Sequence, residues 1–389
     1  MPRPVRVAVL DHTAEPGGAE LALVRVLESV DARRVTPVVV LFDDGALADM
    51  VRRLGHEVVV VPLAEDVAAT DRSAGSAAVL HPRRLGAGAA FLWRLLATLR
   101  RLDLDVVHTT SLKADLAGVL AAPLARRPLV WHVHDRLAPD YLPARTARVL
   151  QALARRVPYA VVANSAATAA TLPGARRLSV VYPGLAPAQV SPTPRTRQPD
   201  GPPVVVMVGR VSPTKGQHVL VRAARRVVDQ HPGTRIRIVG DPAFGAEAYA
   251  ATVRDEVRDL GLDGCVELVG FMPDPRAELS RASVAVHAAT VPEPFGQVVT
   301  EAMAAGVPVV ATRGGGVGEI VRTGPADSTG LLVPPGDPDA LAVAVLDVLE
   351  HPEAALARAA RAHADVTHRF LAGASAEQLT RVWEQAALR

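Results

Sequence analysis

Two glutamates, Glu293 and Glu301, stand eight positions apart in the stretch Pro292-Glu293-Pro294-Phe295-Gly296-Gln297-Val298-Val299-Thr300-Glu301. Pro294 and Gly296 lie just ahead of a run with helical periodicity, so the spacing predicts a loop opening into a helix whose first amides can hold phosphate. On that helix Gln297, Thr300, Glu301 and Ala304 share one face, while Val298, Ala302 and Ala305 share another suited to packing on a sheet. Glu301 then points toward whatever fills the loop. A carboxylate repels phosphate but accepts hydrogen bonds from paired sugar hydroxyls, which suits a ribose beyond a diphosphate. Glu293, in the loop, stands nearer the reacting group. On spacing alone such a pair is an ordinary feature of an exposed surface; the flanking prolines and glycine are what favour a ligand.

A second loop reads Val208-Gly209-Arg210-Val211-Ser212-Pro213-Thr214-Lys215-Gly216 between an apolar run and a helical one. Arg210 offers a bidentate fork and Lys215 a compact point charge, a combination able to clamp a diphosphate. Lys215 is one of only two lysines in the chain, the other being Lys113. Near the N-terminus, Gly17 and Gly18 precede another helix and let backbone amides approach an anion, although glycine pairs also mark plain tight turns. His134 ends the run Leu129 to Val133, where a neutral imidazole can bond a sugar hydroxyl and Asp135 can orient it. His132, one pleat back, reads as structural, whereas His108 and Lys113 follow a strand and can reach an acceptor. Asp103-Leu104-Asp105 fits the text pattern of a metal-binding acid pair but lies at a helix end, where acids are ordinary.

These loops need strands to hold them, and short β-branched runs alternating with Ala, Leu and Arg segments predict repeated βα units with a mainly parallel sheet. The expected strands are Val5 to Leu10, Thr36 to Phe42, Glu57 to Val61, Asp105 to His108, Leu129 to Val133, Tyr159 to Ala163 and Leu178 to Val181. After a proline-rich stretch come Val204 to Val208, Arg235 to Val239, Cys265 to Leu268, Val284 to His287, Val307 to Ala311 and Leu331 to Val333. In open parallel sheets ligands bind outside the carboxyl ends of strands, where the loops above fall. The stretch with Pro187, Pro192, Pro194, Pro199, Pro202 and Pro203 lacks apolar periodicity and predicts a linker over 187–203. It separates a first domain, 1–186, from a second, 204–370. A last helix, 371–389, with Ser375 as N-cap, is expected to return to the first domain.

The chain has 389 residues, 49% hydrophobic and 21% charged, with a formal net charge of +3, which fits folded globular domains and gives no basic block for nucleic acid. The single cysteine, Cys265, has no disulfide partner and fits a reducing cytoplasm. The apolar run Val5 to Leu10 is too short for a signal peptide, and no window is apolar enough to span a bilayer. Arg145, Arg148, Arg155 and Arg156 decorate one amphipathic stretch; Arg83, Arg84, Arg94, Arg100 and Arg101 decorate another. Such faces are usually solvated, and peripheral contact with an anionic inner membrane surface is their alternative use. No G-x-G-x-x-G follows the first strand of either domain, against a dinucleotide oxidoreductase.

Glu293 and Glu301 in their setting resemble the E-x7-E motif of the retaining GT-B glycosyltransferases of family 4. Further landmarks follow in the family's order: Gly17-Gly18-Ala19-Glu20, Gly209-Arg210 with Lys215-Gly216, the run Glu301 to Thr312, Gly314-Gly315 with Glu319, and Gly330 to Val333. They cover most of the chain. The resemblance implies an α/β protein with two Rossmann-like parallel-sheet domains facing a cleft, the first on the acceptor side and the second binding a nucleotide-sugar. It implies transfer of the sugar, from a UDP donor ahead of a GDP donor, with retention, to a hydroxyl of a glycan, glycolipid or natural product. Arg210, Lys215 and the backbone around Gly296, Gln297, Val298 and Val299 would hold the diphosphate. Glu301 would hold the ribose, Phe271 and Met272 the base, and Glu293 and His134 the transferring sugar. No metal and no cofactor is expected beyond the donor. The alternatives are an epimerase or hydrolase of nucleotide-sugars in the same fold, or a binding protein without turnover.

Overall fold

The computed structural model describes residues 3–63, 82–243 and 245–389; the side chains of 82–85, which include Arg83 and Arg84, lie outside the described set. In the first half the elements run β1 (Val5–Asp11), α1 (Gly18–Ser29), β2 (Val35–Leu41), α2 (Ala46–Arg53), β3 (Glu57–Val60), α3 (Pro82–Arg101) and β4 (Val106–Thr109). They continue with α4 (Leu112–Leu124), β5 (Leu129–Val133), α5 (Ala144–Arg156), β6 (Ala160–Ala163), α6 (Ala166–Ala169) and β7 (Ser179–Val180). The second half begins β8 (Val204–Val208), α7 (Gln217–Gln230), β9 (Arg235–Val239), α8 (Glu247–Asp259), β10 (Val266–Gly270), α9 (Arg276–Arg281) and β11 (Val284–His287). Then come α10 (Gln297–Ala304), β12 (Val309–Thr312), α11 (Val317–Ile320), β13 (Leu331–Val333), α12 (Pro338–Glu350), α13 (Pro352–Arg369) and α14 (Ala372–Ala387). Strand ends differ from the expected ones by at most two residues. One of the two largest shifts has a simple cause: Pro308 has no amide hydrogen for a ladder, so β12 begins at Val309 instead of Val307.

The chain forms two compact units, Met1–Gly184 with Ala372–Arg389, and Leu185–Leu371. In the first unit seven parallel strands are ordered β3-β2-β1-β4-β5-β6-β7. Both faces of this sheet are covered, which is why its strands read as unbroken apolar runs. Val7 and Val9 of β1 pack with Leu23, Val26 and Leu27 of α1 and Leu379 and Trp383 of α14. Ala8 and Leu10, on the opposite face, pack with Phe91, Leu95 and Leu99 of α3. Arg34 ties α14 down through Glu377 at 2.6 Å and Glu384 at 2.7 Å. Ser375 is no N-cap: α14 starts at Ala372, and the Ser375 hydroxyl, inside the helix, donates to Tyr182 O at 2.7 Å.

In the second unit six parallel strands run β10-β9-β8-β11-β12-β13 around a core that includes Val205, Met207, Ile236, Ile238, Val284 and Val286. The proline-rich stretch 187–203 belongs to this unit and is no free linker; the division falls after Gly184. Arg195 explains it. Its guanidinium donates to the carbonyls of Leu279 (3.1 Å), Ser280 (2.9 Å) and Ala282 (2.5 Å), which satisfies the last carbonyls of α9. His363 Nε2 meets Ser191 O at 2.8 Å, and Ser191 N donates to Ala304 O at 3.0 Å. Prolines remove the periodicity that marks an element, but they leave carbonyls and side chains free to dock.

The Asp103-Leu104-Asp105 pair is structural. Asp105 accepts from Arg6 N at 2.8 Å and from Arg3 at 2.7 Å, while Asp103 turns the chain at φ 46°. Among the described residues no group of His, Cys, Asp and Glu is placed to hold a metal ion. Among them, too, no helix is long and apolar enough to cross a membrane.

Candidate functional site

Each sheet reverses its strand order once, between β1 and β4 in the first unit and between β8 and β11 in the second. Loops leaving the carboxyl ends of such a strand pair diverge and leave a crevice. In the second unit the diverging loops are 209–216 after β8 and 288–296 after β11, which carry Arg210, Lys215 and Glu293.

The two loops are fastened to each other. Thr290 N donates to Thr214 O at 3.0 Å, and the Thr290 hydroxyl donates to Pro213 O at 3.1 Å. Gly216 caps α7 at φ 79°, and a Cβ there would lie 2.0 Å from Ala288 O, so only glycine permits this approach. Fully buried Gln217 braces the first loop, donating to Arg210 O at 2.9 Å and accepting from Ser212 N at 3.3 Å. Lys215 is thereby delivered to Glu293, where its ammonium donates to Oε1. Arg210 is exposed at the mouth of the same loop.

Glu293 is 9% exposed. Burial alone would raise its carboxyl, but the charges of Lys215 and His287 outweigh burial and hold it well below the usual carboxylate range. His287 Nε2 stands 3.3 Å from Glu293 Oε2. The Glu293 carbonyl accepts from Gly316 N at 2.9 Å, and a Cβ on Gly315, at φ 57°, would lie 1.8 Å from that oxygen. Gly315→Ala is therefore expected to push the Glu293 backbone aside and cost roughly 3 to 4 kcal/mol of stability. Gly336→Ala is the control: φ is 73° with nothing within 4 Å of the new Cβ, so only the conformational cost of about 1 kcal/mol applies. Urea unfolding of both variants tests the difference, and equal losses would remove the close approach as the cause.

Gly296 caps α10 at φ 112°. The faces of α10 differ from the expected ones. Gln297, Val298, Glu301 and Ala305 keep accessible surface, whereas Thr300, Ala302 and Ala304 are buried. The reason is that α10 is covered by α13 as well as by the sheet, so Thr300 and Ala304 cannot stay open. Glu301 remains on the accessible side, 3.5 Å from Gln189 Nε2. Phe271, 69% exposed, and half-buried Met272 follow the edge strand β10. That edge is two strands from β8, or about 10 Å.

In the first unit, the Thr110 hydroxyl after β4 donates to Asp11 Oδ2 at the end of β1, at 2.7 Å. Gly17 caps α1, but the amides of Glu20 and Gly17 point at the Glu20 carboxyl, so the helix start is occupied by a side chain of its own. Burial first, and then the Asp11 charge, raises this carboxyl to about 7. His134 is half-buried, and burial lowers it to about 4 despite Asp135 and Asp11, leaving the ring neutral at physiological pH. It lies 4.1 Å from the His132 ring, itself 5.3 Å from His108. His108 is not open to an acceptor. It is 1% exposed, lowered to about 3 by burial and by His134, and its Nδ1 accepts from Trp383 Nε1 at 3.2 Å. On α5 the four arginines and Val149 are exposed, while Leu150 and Ala154 are buried in the core beneath.

Sequence reasoning missed His287, Gln217 and Gln189. His287 was findable, since it ends β11 at the switch point much as His134 directly follows β5.

A family model described as Glycosyl transferases group 1 matches residues 193–364, and one described as Glycosyltransferase Family 4 matches 16–189. The D-inositol 3-phosphate glycosyltransferase of Thermobispora bispora is 32% identical over 310 residues, which cover 72% of this chain and 71% of that protein. The enzyme of the same description from Corynebacterium kroppenstedtii is 34% identical over 221 residues, 54% of this chain. The chain spans about half the length of that relative and its counterparts from Acidothermus cellulolyticus and Kineococcus radiotolerans, at 48%, 44% and 52%. The crystal structure of Anabaena HepE with UDP and glucose is similar at a TM-score of 0.83 and 28% identity, covering 98% of this chain and 100% of that one. A sucrose-phosphate synthase from Thermosynechococcus elongatus, at 21% identity and a TM-score of 0.78, shares the GT-B fold.

Proposed function

Because the chain belongs to the group 1 glycosyltransferases of glycosyltransferase family 4, we propose that it moves a sugar, with retention, from a UDP donor to a hydroxyl acceptor. The observation that carries this is the Lys215–Glu293 pair at the β8/β11 switch point, with a cation and a buried carboxylate fixed on loops that meet. Cleavage of a glycosyl–phosphate bond builds negative charge on the diphosphate and positive charge on the sugar ring. Lys215, Arg210 and the amides of Gly296 to Val299 stabilise the first; the Glu293 carboxylate, held ionised, faces the second and binds sugar hydroxyls. The departing phosphate takes the acceptor proton. Glu301 accepts from the ribose hydroxyls, and Phe271 and Met272 border the base. In the first unit, neutral His134 is a hydrogen-bonding group for a sugar hydroxyl. These charges are the counter-ions of the diphosphate, so turnover is expected to persist in EDTA. The choice of UDP rests on HepE, whose structures hold UDP, UDP with glucose, and UDP-glucose.

UDP at a hundredfold excess over its Kd is expected to stabilise the folded chain by about 2.7 kcal/mol, raising the unfolding midpoint by roughly 5 to 10 °C. UDP-glucose should then release UDP only with an acceptor such as D-inositol 3-phosphate, followed by chromatography of the nucleotide. Release without an acceptor points to a hydrolase, and no stabilisation by UDP, GDP or ADP sinks the donor site.

A further inference from the structure

Glu293 is met by two groups, one on each oxygen. Lys215 donates to Oε1, and His287 Nε2 approaches Oε2 at 3.3 Å, an ion-pair contact rather than an aligned hydrogen bond. His287 is the last residue of β11, and its side chain is 6% exposed. On its other side, Nδ1 lies 3.2 Å from the hydroxyl of Thr312, the last residue of β12. That hydroxyl donates its one hydrogen to Ala289 O at 2.9 Å. It therefore accepts from the ring, and this network assigns a hydrogen to Nδ1. With Nδ1 donating, the contact between Nε2 and Oε2 is favourable only when a hydrogen lies between them. The ring is thus clamped between a strand end and a carboxylate, in an orientation set by three groups.

Lys215 has two anions to serve if the donor-site reading above holds, the Glu293 carboxylate and the diphosphate. As its ammonium turns to phosphate, Oε1 is released toward the sugar, and His287 is the partner that stays. We propose that His287 is a positioning residue for Glu293, retaining Oε2 so that Oε1 is presented to the transferred sugar. The proposal rests on the donor-site reading, and it gives a buried strand-end histidine a task that packing alone does not require.

Two amides separate this role from a structural one. In His287→Asn the side-chain amide keeps the position of Nδ1 and the Thr312 contact but ends short of Glu293; in His287→Gln it reaches the position of Nε2. Titration calorimetry with UDP and with UDP-glucose is the readout. His287→Asn is expected to bind UDP within about twofold of wild type and UDP-glucose about 10-fold more weakly, with His287→Gln restored to within about threefold. In a Glu293→Ala background, His287→Asn should add nothing. Should His287→Asn fail to fold, Thr312→Val frees the ring while sparing its contact with Glu293, and a smaller loss confined to UDP-glucose is expected. The proposal is overturned if His287→Asn or Thr312→Val binds UDP-glucose as wild type does, or if Asn and Gln weaken UDP and UDP-glucose alike. A wild-type chain that binds no UDP would mark failure of the donor-site reading itself, and the proposal would fall with it.

Discussion

Lys215→Ala is expected to lower the turnover of UDP-glucose by about 10²- to 10³-fold and the affinity for UDP by about 10-fold or more. The structure adds a consequence that spacing alone does not give. The same ammonium is the partner of a buried carboxylate, so its removal leaves Glu293 with His287 as its remaining side-chain contact. Glu293 has its folded value depressed below the ordinary 4.5, so its contribution to stability is present above that pH and is lost as pH falls through the folded value. Without Lys215 the depression shrinks. The acid limb of the stability profile therefore moves to higher pH, and part of the stability at neutral pH disappears. Lys215 is about one quarter exposed, so solvent screening holds that loss near 1 to 2 kcal/mol, below the figure for a fully buried pair. A double-mutant cycle divides the two roles. In a Glu293→Ala background the stability effect of Lys215→Ala should largely vanish, while the loss of UDP affinity remains. If UDP affinity is unchanged by Lys215→Ala in a folded chain, the lysine serves only Glu293 and the diphosphate assignment fails.

The strands were legible because both sheets are parallel and covered on both faces, which forces valine-rich runs such as Val204 to Val208 and Leu129 to Val133. The loops around the β8/β11 switch point were legible for a related reason: glycine is needed where Gly216 and Gly315 pass within van der Waals reach of another backbone. What could not be read was pairing across distance. Nothing local in the sequence joins Lys215 to Glu293, 78 positions away, and the reading gave each a separate ligand. The faces of α10 were misjudged because helical periodicity locates one apolar stripe, while α13 supplies a second buried contact. The segment 187–203 was misjudged because Arg195 does its work through backbone carbonyls of α9, which leave no trace in composition. His287 was passed over because a lone histidine ending a β-branched run is ordinarily core, and its partners, Thr312 and Glu293, come from other loops.

Glu20→Gln is expected to make the chain more stable than wild type by roughly 2 to 3 kcal/mol at pH 8, and to lose that advantage at pH 5. Glu20 is 8% exposed, and burial, followed by the Asp11 charge, lifts its carboxyl from 4.5 to about 7. A carboxyl raised on folding binds its proton more tightly in the native state. Its contribution is therefore complete below the unfolded value near 4.5, falls as pH rises through about 7, and is gone above it. A carboxyl moved from 4.5 to about 7 corresponds to roughly 3 kcal/mol. Asp11 moves the other way. Burial would raise it, but His12, the Thr110 hydroxyl and Thr13 N keep it lowered, so it stays ionised and keeps opposing a second charge on Glu20. Three histidines complicate the wild-type profile. His108, His132 and His134 are all lowered from 6.5, chiefly by burial, so their stabilising contribution is present above that pH and fades as pH falls. Two opposed trends then overlap between pH 5 and 7, and the wild-type curve can look flat. The difference between wild type and Glu20→Gln cancels the histidines and leaves the carboxyl. Urea unfolding at pH 5, 6, 7 and 8 measures it. A difference that stays constant across that range would show that Glu20 carries no proton near neutrality. One that opens with pH places a titrating carboxyl at the start of α1, close to the β1/β4 switch point.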